Sequence, residues 1–233
     1  MSRVLPRFPF RVTLYSLRAI REIFIDCNVK LAAASQRRES LTVHADTAGG
    51  RLNTYIALFR GVNVGASHRL PMKELKVVLE KNGCVDVRTY IQSGNVILSS
   101  AMSDTDRLAR RLTAAVSRSH GFEPRVLLLT RGEFESAVAG NPFPEASENP
   151  RSLHLFFLAG VPTRADLKSI GALKTQTERF ALRDRIFYLH TPQGFGTSKL
   201  AERAERLLGV EGTARNWRTV TRLLEMVKGV TGM

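Results

Sequence analysis

Between residues 55 and 129 the chain alternates short apolar runs with helical spacings in an order that few architectures accept. Residues 55–59 read as a strand. A helix opens at Pro71, where a missing N–H costs nothing, with Leu75, Val78 and Leu79 on one face and Gly83 as its stop. Residues 87–91 and 96–98 form a hairpin about Ser93-Gly94, a turn dipeptide. A second helix, with Ser103 and Asp106 as a capping pair, turns Leu108, Leu112, Ala115 and Val116 inward and closes near Gly121. Residues 125–129 supply a fourth strand. The result is β-α-β-β-α-β, the ferredoxin-like split unit. Thr130 and Glu133 cap one more helix, ending at Gly140.

The pattern then recurs. Residues 141–150 carry Pro142, Pro144 and Pro150 among polar residues and mark the boundary. Beyond it come a strand at 153–158, a short helix at 164–170 and a hairpin of 180–182 with 186–189 about Arg183-Asp184. Helices at 200–208 and 217–227 complete a β-α-β-β-α-α half. The expected class is α+β: two ferredoxin-like βαββα-type halves, antiparallel sheets with helices packed on them. The domain reading is an extension over 1–52, a first half over 53–140 plus its helix, and a second half over 151–233 packed against it as one unit.

Strand direction locates a candidate site. In the split unit strand two runs parallel to strand one, so the end of strand one and the strand two–three turn share an edge. The loop Arg60-Gly61-Val62-Asn63-Val64-Gly65 thus approaches Gln92, Ser93 and Asn95, and the loop at His120-Gly121-Phe122 reaches the same edge. Glycine turns offer backbone N–H groups, Asn and Gln both donate and accept, and Arg60 adds a cation. That set suits a phosphate, a carboxylate or a nucleobase edge. The alternative is local: Gly61 and Gly65 permit positive φ, while Asn63 and Asn95 bond their own turns.

Charge bounds the partners. The 233 residues carry a net +14 with a sequence pI near 10.7, which favours phosphorylated ligands, nucleic acid or an acidic membrane surface, although the charges are scattered. Residues 1–52 hold nine Lys or Arg against four Asp or Glu, five of the +14, so the rest stays strongly basic. That segment is too often interrupted by charge for a signal peptide; it reads as an unstructured extension or as translation from an upstream start codon, with a basic amphipathic helix as the alternative. No run is long enough to span a membrane. Cys27 and Cys84 fit neither a disulfide framework nor a metal site, and a reducing cytoplasm is the expected compartment.

Several motifs occur in order: Arg60-Gly61-Val62-Asn63-Val64-Gly65, Pro71-Met72, residues 89–96, Asn141-Pro142-Phe143, Ser198-Lys199-Leu200, and Thr213-Ala214-Arg215-Asn216-Trp217-Arg218-Thr219-Val220. Together they closely resemble the bacterial domain-of-unknown-function 1697 family, over roughly residues 54–227. Ala66 stands where that family often has glycine. The resemblance implies an α+β fold of ferredoxin-like character, treats 1–52 as an addition, and implies no activity.

Other groups name no reaction. Ser198 before Lys199 has the wrong spacing and order for a phosphate-binding P-loop; it reads as a helix N-cap, with a Ser–Lys nucleophile pair as the alternative. The histidines show no metal-ligand spacing, so no metal is expected, and no G-x-S-x-G elbow or carboxylate pair appears. Trp217 continues the stripe of Val220, Leu223, Leu224 and Val227 and reads as core. Arg215 and Arg218 read as cations at that helix's N-terminus, opposed to the macrodipole unless an anion binds there. The candidate ligand-binding set is Arg60, Asn63, Gly65, Gln92, Ser93, Asn95, Lys199, Arg215, Asn216 and Arg218. Its expected occupant is a phosphate-bearing small ligand or nucleotide. The alternatives are non-specific nucleic-acid binding and an enzyme of unknown reaction using Lys199 as base.

Overall fold

Hydrophobic alternation along β1 (Asn53–Arg60) sends Tyr55, Ala57 and Phe59 to one face and Ile56 and Leu58 to the other, and both sets are buried. A strand buried on both faces requires a layer on each side. The computed structural model of the chain describes residues 51–64 and 68–229. After β1 come α1 (Met72–Lys81), β2 (Val85–Tyr90), β3 (Asn95–Ser100), α2 (Thr105–His120), β4 (Arg125–Thr130) and α3 (Arg131–Ala139). The second half runs β5 (Leu153–Leu158), α4 (Leu167–Leu173), β6 (Arg179–Arg183), β7 (Ile186–His190), α5 (Lys199–Leu208), β8 (Gly212–Asn216) and α6 (Trp217–Lys228). The fold is α+β: two four-stranded antiparallel sheets in two similar halves, with six α-helices among the described residues. Strand orders are β2-β3-β1-β4 and β6-β7-β5-β8, the same order twice.

The layers follow from three apolar clusters. α1 and α2 cover the outer face of the first sheet through Leu75, Leu79, Leu108 and Leu112. α4 and α5 cover the outer face of the second through Ile170, Leu200, Ala204 and Leu208. Between the sheets lie α3 and α6, whose Phe134, Ala137, Trp217, Val220 and Leu223 join Ile56, Leu58, Leu155 and Phe157 in the central core. The described residues form one compact unit. All but the last two residues of the expected extension lie outside the described residues.

One element differs from the sequence reading. The second half is not β-α-β-β-α-α: β8 stands between its last two helices, so Arg215 lies in a strand and not at a helix start. Gly212-Thr213-Ala214-Arg215-Asn216 lacks apolar alternation, and only Thr213 of the five is buried. Its conformation comes from pairing with β5, a tertiary override of weak local preference. Caps also differ in detail. Asp104, not Ser103, accepts the Arg107 N–H at the start of α2, and Asp166 starts α4 at Leu167. Thr130 and Glu133 form the expected reciprocal capping box.

Register aligns the halves residue by residue. Leu58 pairs with Asn95 and Leu127, and Phe157 pairs with Ile186 and Thr213. Phe59 N–H donates to Gly94 O at 2.8 Å, and Leu158 N–H donates to Arg185 O at 2.9 Å. Gly94 and Arg185 are therefore equivalent, as are Leu129 and Arg215. So are Gly61-Val62 and Gly160-Val161, a short identity that marks the repeat in the sequence itself.

Candidate functional site

Asn63 builds the first polar tip. It sits at φ 54°, and its backbone N–H donates to His68 O at 2.9 Å. Its amide closes the loop on both sides: Oδ1 accepts from Leu70 N–H at 2.8 Å and Nδ2 donates to Leu70 O at 2.9 Å. The same Nδ2 donates to Gln92 O at 2.8 Å, stapling the loop to the β2–β3 turn. Local turn bonding is what this amide does. Gly65 lies outside the described residues.

The second tip is tighter. Gly94, at φ 72°, lies so close to β1 that a Cβ there would stand 2.7 Å from both Phe59 Cβ and Val62 Cγ2. Asn95 follows it, 0% exposed, with Nδ2 donating to Ser93 Oγ at 2.8 Å and to Tyr90 O at 3.2 Å. Its Oδ1 accepts from Arg215 Nε at 2.5 Å.

Arg215 crosses from the second half to meet it. Beyond Asn95, its guanidinium donates to Thr213 Oγ1 at 2.6 Å, Ala214 O at 2.9 Å, Phe59 O at 3.0 Å and Ser93 O at 3.2 Å. Burial lowers its pKa to about 10, still charged at neutral pH. Carbonyl and amide oxygens take the place of water around this charge, the condition under which a buried cation is tolerable. The five bonds use all three guanidinium nitrogens, so the group is committed inside the protein.

Arg60 occupies a more open position. It forms a fork with Glu205, Nη1 to Oε1 at 2.6 Å and Nη2 to Oε2 at 2.9 Å, and Nη1 also donates to Gly212 O at 2.8 Å. Glu205 Oε1 accepts from Gly212 N–H at 2.9 Å as well. The pair is partly solvated, with side chains 44% and 32% exposed. Antiparallel pairing puts Arg125 of β4 opposite Arg60, and Arg125 is ion-paired with Glu211 across the gap between the halves.

Arg60, Arg125 and Glu211 line a cleft of about 610 Å³ between the edge strands β4 and β8, together with Arg110, Thr113 and Glu123 among others; Asn63, Asn95 and Arg215 stand outside it. A recess of about 310 Å³ shares Arg60, Glu123, Arg125 and Glu211 with it and adds Gly61, His68 and Glu205. His68 stacks on Phe122 at 4.7 Å, so the loop before β4 reaches this edge.

The structure thus brings together Arg60, Asn63, Gln92, Ser93, Asn95 and Arg215. The rest of the candidate set lies elsewhere. α5 packs on the outer face of the second sheet, with Ala214 against the same cluster, whereas Arg215, its neighbour in the strand, projects inward. Lys199 is exposed at the start of that outer helix, behind Ser198, whose hydroxyl accepts from Ala201 N–H at 3.0 Å as an N-cap. Asn216 caps α6 through Thr219 N–H at 2.9 Å, and Arg218, two residues on, is exposed. Glu205, Glu211, Arg110 and Arg125 escaped sequence reasoning. Arg125 was within reach of it, since strand four pairs antiparallel with strand one; the two glutamates depend on β8. Among the described residues no cluster of three His, Cys, Asp or Glu side chains could hold a metal ion, and no helix is long and apolar enough to cross a membrane.

No curated protein matches the chain. The solved structure of conserved bacterial protein SP0830 from Streptococcus pneumoniae is similar, with a TM-score of 0.59 and 23% identity over 76% of this chain and 99% of that one. At that identity the likeness is one of fold. The sequence model of the family described as "Protein of unknown function (DUF1697)" matches residues 52–188, and the chain belongs to that family.

Proposed function

We propose that this family member binds a phosphate-bearing small ligand, in the form of a nucleotide, in the cleft between β4 and β8. The observation that carries it is the convergence of Arg60, Arg110 and Arg125 on one concavity of about 610 Å³, a volume typical of small-molecule sites. Arg60 lines both the cleft and the smaller recess, and its fork geometry matches a phosphate as well as the Glu205 carboxylate it now holds. A half-exposed ion pair is worth little, so a phosphate can exchange for Glu205 at small cost. Glu123 and Glu211 would accept hydrogen bonds from ribose hydroxyls, which favours a nucleotide over a bare phosphate. The reading is a binding site, with no reaction assigned to the carboxylates beside the three arginines.

Thermal unfolding and calorimetric titration with ADP, pyrophosphate and adenosine test it. A bound ligand raises the melting temperature by mass action. ADP and pyrophosphate should both do so, adenosine should not, and Arg60→Ala or Arg125→Ala should weaken ADP at least tenfold. No response to ADP at millimolar concentration overturns the proposal. So does steeply salt-dependent binding of a random oligonucleotide without any mononucleotide effect, which would move the function to nucleic acid.

A further inference from the structure

A second recess lies at the tip of the other half. Its volume is about 590 Å³, and it is formed by the β6–β7 turn, the loop after β5 and one side of α3 through to its C-cap Gly140. The repeat makes it the counterpart of the Arg215 clasp. Arg183, Asp184 and Arg185 stand where the β2–β3 turn stands, Val161 where Val62 stands, and Leu129 where Arg215 stands. In the first half the long side chain of Arg215 fills the space beneath the turn. In the second half Leu129 is too short to do so, and the space is open.

The unused bonding capacity of the recess defines what fits. Its acceptors are already engaged: Gly140 O takes a bond from Arg183 Nη1 at 2.7 Å, and Ala137 O takes one from the Tyr188 hydroxyl at 2.7 Å. Glu133 Oε2 accepts from both the N–H and the hydroxyl of Thr130 at 2.8 Å. Donors are in surplus. Arg183 makes that single bond, and Arg185 makes one long one, to Leu128 O at 3.3 Å, beside an ion pair with Glu133 Oε1 at 3.5 Å, from five N–H groups each. Two acids oppose them: Glu133, ion-paired to Arg185, and Asp184, exposed at the apex of the turn. Behind the arginines the floor is apolar: Leu129, Ala137 and Ile186 are all buried, with the Tyr188 ring beside them.

We propose that this recess binds a small amphipathic carboxylate, its anionic end on Arg183 and Arg185 and its hydrocarbon body on Leu129, Ala137 and Ile186. The apolar floor distinguishes this occupant from the phosphate ligand proposed for the β4–β8 cleft, and the two sites share no residue.

Titration with phenylacetate and octanoate, with benzylamine and benzyl alcohol as cationic and neutral controls, tests the assignment by calorimetry and protein NMR. Saturable binding of the two carboxylates, with the controls at least tenfold weaker, is the expected result. Arg183→Gln combined with Arg185→Gln should reduce carboxylate affinity at least tenfold. Ser136→Trp, at an exposed position on the rim, should abolish binding without lowering the melting temperature. Arg60→Ala should leave it unchanged. No saturable binding, equal binding of benzylamine, or carboxylate binding that survives Ser136→Trp overturns the proposal, whatever the outcome with ADP.

Discussion

The two hairpin tips of this protein solve one structural problem in opposite ways. Each must tie a β-hairpin to the half that did not make it. In the first half the turn is acceptor-rich, and the cation comes from outside: Arg215 of β8 reaches across to Ser93 O and Asn95 Oδ1. In the second half the turn supplies the cation, and Arg185 reaches out to Leu128 O of β4. The first clasp is buried and closed by five bonds; the second is long, partly solvated and leaves a cavity beside it. Equivalent positions in a repeat thus need not share chemistry. One has become an internal strut, and the other keeps bonding capacity to spare.

Arg215→Ala tests the strut most severely. It deletes five hydrogen bonds and leaves Asn95 Oδ1 buried with no donor. A loss of about 3–5 kcal/mol is expected, in the range for breaking a buried charge network. Chemical denaturation measures it. A loss below about 1 kcal/mol would mean that the clasp is no firmer than an exposed ion pair.

Gly94→Ala sharpens the contrast between the turns. The equivalent residue is Arg185, a position that tolerates a long side chain, whereas a Cβ on Gly94 would collide with Phe59 and Val62 at φ 72°. Left-handed strain and overpacking together should cost about 2–4 kcal/mol. The same denaturation experiment reads it, and an unchanged midpoint would show that the turn can back away from β1.

How much of this was legible beforehand depended on where each signal resides. β1, β3, β5 and β7 are dense apolar runs, so their order and direction could be read, and direction alone put Asn63, Gln92 and Asn95 on one edge. β8 carries no such run. With it hidden, Arg215 read as the start of a helix, and its role as a strand-borne strut was invisible. By residue type the amides of Asn63 and Asn95 fit a ligand and also fit their own turns. Only the positions of Leu70, Tyr90 and Arg215 decide which groups they bond, and those positions are tertiary. The cleft acids Glu205 and Glu211 flank β8 and were hidden with it.

Protonation offers a probe confined to the second sheet. His154 stacks on Phe195 at 3.7 Å, its Nδ1 is buried without a partner, and burial lowers its pKa to about 4. Because the folded value lies below the unfolded one, the unfolded chain binds the proton first as pH falls. Stability is therefore complete above about pH 6.5 and declines toward pH 4, by on the order of 2–3 kcal/mol from this group. His190, also lowered by burial and by Arg179, contributes with the same sign, so the difference between the wild type and His154→Phe isolates the first histidine. The variant should keep the ring stack and lose the share of the slope that His154 contributes. An unchanged slope would assign the acid sensitivity elsewhere.

Arg185→Ala should have the smallest effect, and that is the point of measuring it beside Arg215→Ala. Its contacts, at 3.3 Å to Leu128 O and 3.5 Å to Glu133, are long, and the two charged side chains are 29% and 45% exposed. Water replaces such bonds readily, so the expected loss is at most about 1 kcal/mol. Leu128 O belongs to a paired strand, and Glu133 keeps its capping bonds to Thr130 when the arginine is removed. No buried group is left orphaned, in contrast to Asn95. A loss comparable to that of Arg215→Ala would erase the distinction between the two tips and would mean that the second turn, too, is held shut by its cation.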